Sequence, residues 1–351
     1  MSADGRDATT RAGPVWSVAV LYCTTTVAHG ARAWETLLRL AQHAHDPALA
    51  VIAHYALGAT WLWLGALPAA RQHLEEAIAR YTPDQRRAPE FRMGFDPGMG
   101  CRVFAAQTFW VLGYPEQALA HIHEALALVQ ELSHPYSLAY AWCHAALVSQ
   151  LRRDVLAVYE QAEAAITLAT EQGFPLWVLM GTVFRGWALA MQGQSEAGLA
   201  QLRQAIAGFR ATGGALLVPY FSALLADVFA HLGHPDDGLQ ALAEAHTMVE
   251  QYDERWWEAE IHRLRGVLLL RQTGTPQAEA EACFQQALDV ARRQEAKSLE
   301  LRAAMSLARL WQQQDKRAEA YDLLAPIYGW FTEGFDTADL QEAKTLLDVL
   351  A

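Results

Sequence analysis

Apolar positions recur along this chain with a period near forty residues. Ala125, Ala165, Ala205 and Ala245 fall forty apart, and Ala77 and Ala287 extend the series with slightly longer steps. Leu119, Leu199 and Leu239 keep the same register, with Tyr159 between them. Gly65, Gly113, Gly193 and Gly233 punctuate the apolar runs where a turn between paired helices would fall. Pro135 and Pro175 suit the first turn of a helix, where a missing N–H is harmless. The pattern predicts helical hairpins repeated in tandem.

Small residues sharpen that expectation. Gly58, Ala106, Ala146, Gly186, Ala226, Gly266 and Ala308 sit in the middle of the first helix of each pair. Ala70, Ala118, Val158, Gly198, Gly238, Ala280 and Ala320 stand early in the second. Small side chains at both places let antiparallel helices approach closely, which is the packing rule of tetratricopeptide (TPR) repeats. HEAT-like repeats share the period and are the structural alternative. The expected fold is all-α: a right-handed, TPR-like solenoid of about eight hairpins of roughly forty residues each, with a C-terminal capping helix. Residues 1–12 are expected to be a disordered tail, and residues 13–351 the solenoid. Its hairpins are placed near 13–45, 48–81, 98–132, 136–172, 176–212, 216–251, 256–295 and 298–330. The cap spans 337–350, with Asp336 and Thr337 available at its start.

Composition narrows the function classes. The chain is 52% hydrophobic and 19% charged, so it is neither disordered nor fibrous. A net charge of −12, with Lys297, Lys316 and Lys344 as the three lysines, argues against nucleic-acid binding. Cys23, Cys101, Cys143 and Cys283 form no CxxC pair and suggest a reducing cytoplasm. Val15–Cys23 is apolar, but Asp4 and Asp7 offset Arg6 and Arg11 where a signal peptide would be basic. The apolar stretch from Val51 to Ala70 is interrupted by Gly58, Gly65 and Pro68, so a hairpin explains it better than a membrane span.

Several segments carry a family likeness: LRLAQHAHDPAL, AHYALGATWLWLG, ERWWEAEIHRLRG, AEACFQQALDVARRQEAKSLELRAAMSLARLWQQQ and LAPIYGWFTEGFDTADLQEAK. From about Ala31 to Ala351 the chain resembles the C-terminal TPR region of bacterial multidomain signalling proteins. In those proteins a class III adenylate/guanylate cyclase and a STAND-type ATPase, or the ATPase alone, precede the repeats. The resemblance implies a sensor or protein-interaction arm serving an ATPase or cyclase module in cis or in trans. The residues present carry no GxxxxGK[ST] motif, and no lysine follows a glycine, so the family's catalysis is not expected here.

Candidate chemistry points the same way. His231 and His234 with Asp236 and Asp237 are the best metal candidates, yet Gly-His-Pro-Asp-Asp reads more simply as a loop and helix start. There is no HExxH and no GxSxG. No metal and no cofactor are expected. Projected onto the concave wall of a TPR array, the first helices present Tyr55, Trp63, Gln107, Trp110, Tyr140, Gln150, Met180, Trp187 and Met191, then Tyr220, Asp227, Arg263, Arg271, Arg302 and Arg309. An aromatic trough leading to an arginine cluster would receive an extended peptide or protein segment with an apolar and an acidic part. The alternative is a small-molecule effector held among Trp110, Tyr140 and Trp187. Trp256 and Trp257 read as packing residues, and the segment 82–99, with Arg86, Arg87, Arg92 and a Phe95–Gly98 turn, as a spacer.

Overall fold

Helix starts and stops are written locally and repeatedly. Proline occupies the first or second position of eight helices, and the aspartates Asp46, Asp96 and Asp154 accept the backbone N–H three residues on. In the computed structural model, which describes residues 27–82, 94–272 and 274–351, these signals delimit sixteen helices and no strand. They are α1 (Val27–Ala44), α2 (Pro47–Trp63), α3 (Leu67–Arg80), α4 (Pro97–Leu112), α5 (Pro115–Leu132), α6 (Pro135–Leu151), α7 (Val155–Gln172) and α8 (Pro175–Met191). Then follow α9 (Ser195–Ala211), α10 (Val218–Leu232), α11 (Pro235–Tyr252), α12 (Glu258–Leu269), α13 (Gln277–Arg293), α14 (Lys297–Gln313), α15 (Arg317–Tyr328) and α16 (Ala338–Leu350). The expected tail, the leading helix of the first hairpin up to residue 26, and Arg86, Arg87 and Arg92 lie outside the described residues.

Each even-numbered helix from α2 to α14 packs against the odd helix that follows it, the odd helix before it and the next even helix. That arrangement is a TPR-like solenoid. It explains why even and odd helices differ in composition. An even helix is covered on several sides and is buried nearly all round, as α4 is from Pro97 to Leu112. An odd helix buries one stripe, such as Val158, Ala162, Ala165 and Ala169 of α7. The stripe alanines that set the forty-residue period are therefore contact points between layers. α16 continues the even series beyond α15 and closes the end of the core around Leu340, Ala343, Leu346 and Leu350.

The solenoid coils far enough to touch itself. α14 packs on α4, and Ser298 Oγ donates to the Trp110 carbonyl at 2.6 Å. Arg302 donates to the Leu151 carbonyl at 2.7 Å and lies over the Trp110 ring at 4.7 Å. The Trp63 carbonyl accepts from the backbone N–H groups of Arg255 and Trp256. At the outer edge of this seam the Glu333 carboxylate accepts from the Glu116 and Gln117 backbone N–H groups. Contacts between such distant residues turn an open array into a closed one.

Helix approach is tightest between α8 and α9. A Cβ added to Gly198 would stand 2.4 Å from the Gly186 carbonyl oxygen and 2.7 Å from the Ala190 nitrogen. Backbone atoms cannot swing away, so Gly198→Ala is expected to destabilise by about 1–3 kcal/mol through overpacking, despite alanine's helix propensity. At Gly30 in α1 the same methyl meets nothing nearer than 3.7 Å. There the substitution is expected to stabilise by up to about 1 kcal/mol. Thermal melts of the two variants should move in opposite directions.

Candidate functional site

The closed array leaves a cavity of about 650 Å³, lined mainly by its C-terminal half. Most inward side chains come from the end of α6 and the turn after it (Gln150, Arg153), α8 (Trp187, Met191), α10 (Leu224, Asp227, His231), α12 (Glu260, Arg263, Leu264, Val267), α14 (Arg302, Met305, Ser306, Arg309) and α16 (Asp339, Glu342). Arg271 and Leu270, just after α12, stand at its exposed rim. The wall is part apolar and part ionic.

Its ionic part is a chain of alternating charge. Arg263 grips Glu260 through two hydrogen bonds at 2.8 and 2.7 Å and donates a third to Ser306. Arg302 lies 3.6 Å from Glu260 and donates to Asp339 at 2.8 Å. Arg153 reaches Asp339 at 3.2 Å and Glu342 at 2.7 Å, and Arg309 reaches Glu342 at 2.9 Å. Burial alone would raise the Glu260 carboxyl, but Arg263 and then Arg302 and Arg153 outweigh it and hold it below the ordinary carboxylate range. Burial likewise opposes ionisation of Glu342, and Arg153 and Arg309 reverse the balance. The same carboxylates hold Arg263 and Arg153 protonated although burial disfavours their charge.

Arg271 differs from the other four. Its guanidinium donates to the Ala230 carbonyl and pairs with no carboxylate among the described residues. The cavity wall thus carries five arginines (Arg153, Arg263, Arg271, Arg302, Arg309) against four carboxylates (Asp227, Glu260, Asp339, Glu342). One positive charge is left over inside a chain of net charge −12. Trp257 also lines the cavity, and its buried indole N–H has no acceptor among the described residues. The site therefore offers charge-assisted donors beside apolar surface, which suits recognition of an anionic group. Ser306 Oγ donates to the Arg302 carbonyl and accepts from Arg263, and among the described residues no hydrogen bond joins it to a base.

Gln150, Trp187, Asp227, Arg263, Arg271, Arg302 and Arg309, expected on the concave wall, converge on this cavity, as does Met191. Trp187 Nε1 donates to Asp227 at 3.1 Å, and the Tyr220 hydroxyl donates to Gln150 at 2.6 Å beneath the wall. Tyr55, Trp63, Gln107, Trp110 and Tyr140 are not brought there. Tyr55 and Trp63 pack on Phe104, and Tyr140 stacks on Trp177 at 4.8 Å. Gln107 is wholly buried and bonded to His144. Trp110 is enclosed by Arg302 and Trp257. Neighbouring even helices cover most of this half of the inner wall, and the later repeats close over it at Trp110 and the Trp63 carbonyl. Trp110, Tyr140 and Trp187 do not frame a pocket together: all three rings are buried in the core, and Trp187 alone borders the cavity. Trp256 and Trp257 pack on Tyr220 and on each other.

Arg153, Glu260, Asp339 and Glu342 line the cavity as well, outside the residues the repeat register points to. Glu260 stands three residues before Arg263, a helical pairing distance, and was the legible one. Arg153 adopts the left-handed φ of 62° in the turn between α6 and α7, a position with no sequence marker. The histidines His231 and His234 lie apart, beside Asp227 and Asp237 respectively, and Asp236 bonds Gln272. Among the described residues no cluster of three or more His, Cys, Asp or Glu side chains converges as a metal site.

No family model matches the chain. It is 23% identical over 271 residues to an uncharacterised protein of Rhizobium meliloti (strain 1021), a match covering 76% of this chain and 26% of that protein. The chain thus spans about a quarter of the length of that relative. Among solved structures it is similar to a Rap protein complexed with Competence and Sporulation Factor (TM-score 0.58, 12% identity, 86% of this chain and 77% of the other). It is also similar to aspartyl phosphate phosphatase F from Bacillus subtilis (TM-score 0.50, 12% identity, 83% and 73%). The apo form of RapI gives a TM-score of 0.51 at 10% identity, over 85% and 99% of the two chains. At these identities the likeness is one of fold. No described helix is long and apolar enough to cross a membrane.

One buried acid near this wall gives the fold a pH dependence. Glu254, 1% exposed, accepts from the Leu217 N–H and from Trp256 Nε1, tying the turn before α10 to the turn before α12. Burial raises its pKa from 4.5 to about 8, against the opposing pull of those two donors. Between these values the folded chain holds a proton that the unfolded chain has released. Its contribution to stability is complete below about 4.5 and is lost as pH rises through about 8. Relative to Glu254→Gln, the unmodified protein is expected to lose melting temperature steadily over that interval. Parallel pH profiles of the two proteins would refute the assignment.

Proposed function

We propose that this protein is a non-enzymatic, TPR-like binding module that takes a peptide or protein segment with an acidic and an apolar part. The carrying observation is the cavity in which Gln150, Trp187, Asp227, Arg263, Arg271, Arg302 and Arg309 meet beside apolar side chains. The binding surface is this cavity rather than the whole inner wall, since the chain itself covers the rest. The family resemblance supports a place in a cytoplasmic bacterial signalling system, with an ATPase or cyclase module acting in cis or in trans. The much greater length of the Rhizobium relative is consistent with an arm of a larger protein. A Rap protein complexed with Competence and Sporulation Factor has the same kind of fold, which lends the peptide reading further support.

A second reading, a small-molecule effector sensor, is favoured by one observation. A volume of about 650 Å³ falls within the range of roughly 300–1,000 Å³ common for small-ligand sites. In this reading the effector shares the arginine-lined cavity and is not held among Trp110, Tyr140 and Trp187.

Melting the purified protein against a peptide panel and a metabolite panel separates the two. A ligand at about 100 times its Kd adds about 2.7 kcal/mol to stability by mass action. Arg271→Glu is expected to weaken binding of an acidic ligand at least about tenfold while the unliganded protein keeps its fold and melts only slightly lower, because the exposed side chain loses its hydrogen bond to the Ala230 carbonyl and breaks no ion pair. Arg263 is unsuitable for that experiment, since reversing a buried charge beside Glu260 would unfold the wall itself. A ligand-induced rise in melting temperature that is unchanged in Arg271→Glu would place binding elsewhere.

A further inference from the structure

Carboxylates recur at three-residue spacing where the chain leaves its last hairpin: Glu333, Asp336, Asp339 and Glu342. All four engage the first half of the chain. Glu333 accepts from the Glu116 and Gln117 N–H groups and the Gln117 side chain, capping α5, whose own N-cap, Tyr114, supplies no side-chain bond. Glu116 answers by accepting from the Gly334 N–H at 2.9 Å. Asp336 faces Arg152 at 3.5 Å, and Asp339 and Glu342 share Arg153. The last two also hold Arg302 and Arg309.

The chain's own C-terminal segment therefore lies in the cavity wall as an acidic ligand would. Its two innermost carboxylates, one helical turn apart, occupy three of the five arginines named above. Glu342 is the more accessible of the two, with its side chain 37% exposed against 11% for Asp339. Arg271 and Arg309 stand toward the open side, so an incoming carboxylate reaches Arg309 by replacing Glu342.

We propose that Glu333–Glu342 is a displaceable acidic clasp, and that the partner is an acidic peptide whose carboxylates, one helical turn apart, take the arginines that Asp339 and Glu342 now hold. Binding then releases the seam between the two halves and opens the solenoid. This rests on the cavity being the binding site, and adds the partner's chemistry and its coupling to shape.

A labelled peptide of residues 331–345 serves as the probe, with the full chain as receptor and fluorescence anisotropy as the readout. The Asp339→Asn/Glu342→Gln chain is expected to bind it at least tenfold more tightly than the unmodified chain. Adding Arg309→Glu should remove that gain. Small-angle scattering should show a larger radius of gyration for the released variant. A separate variant leaves every charge in place: Gly334 has φ 75° and lies against Pro115, so Gly334→Val forces the clasp off sterically. It carries the comparison if the double variant loses helical circular dichroism. Equal affinity of the probe for released and unmodified chains, or no binding to either, overturns the clasp. Ligand-induced stabilisation sensitive to Arg271 would then still stand, so the two proposals fail separately.

Discussion

The guanidinium of Arg302 is where the architecture converges. It is 7% exposed, and a charge withdrawn from water costs several kcal/mol unless it is paired and hydrogen-bonded on all sides. Its partners come from four other helices: the Leu151 carbonyl ending α6, Asp339 in α16, Glu260 in α12 and the Trp110 face in α4. None of these is close to Arg302 in sequence. Satisfying this one charge fixes the relative positions of α4, α6, α12, α14 and α16, and hence how tightly the superhelix coils. The cavity is the space that this coiling leaves between α8, α10 and the later repeats.

The hairpin array was legible because its cause is local and repeated. A small residue in each even helix faces a small residue in the next odd helix, and overpacking at any one of these contacts is penalised in the same way, as the backbone contacts at Gly186 and Gly198 make plain. Seven of the twelve expected site residues converge for a related reason: even helices do present one face to the axis. Tyr55, Trp63, Gln107 and Tyr140 are instead covered by side chains of the neighbouring even helices, and Trp110 meets the chain's own later repeats. Projection onto an open wall carries no information about coiling, which depends on contacts such as Ser298 with Trp110. The acidic spacing from Glu333 to Glu342 is visible in the sequence, where Asp336 reads simply as a helix cap. Nothing in the sequence indicates that the arginines facing these acids come from a turn nearly two hundred residues earlier.

Net charge and local charge carry different information here. The chain is strongly acidic, which sets its long-range repulsion from other anions. Screening at physiological salt confines that repulsion to about 8 Å, whereas inside the cavity the relevant charges are in direct contact and poorly screened. The five arginines are spaced by carboxylates, so the wall is nearly neutral and is polarised in alternation. Such a surface gains little from a bare anion. It gains more from a ligand that replaces one of the resident carboxylates with its own and adds apolar contact with Met191, Leu264 and Met305.

Two kinds of interface hold the molecule, and they respond to different things. Neighbouring hairpins share mostly apolar surface, so their contact depends little on charge screening or on charged ligands. The seam between distant repeats is richer in polar contacts: Glu333 on α5, Asp336 on Arg152, and Asp339 and Glu342 on Arg153. Several of these groups are partly exposed, and exposed ion pairs contribute about 1 kcal/mol or less each. Opening the outer seam therefore costs less than separating a hairpin, and local opening follows the weaker contacts. A ligand that competes for Arg153 and Arg309 acts on the weaker interface while the hairpins stay intact. A repeat array can in this way change its overall curvature without any repeat changing its fold.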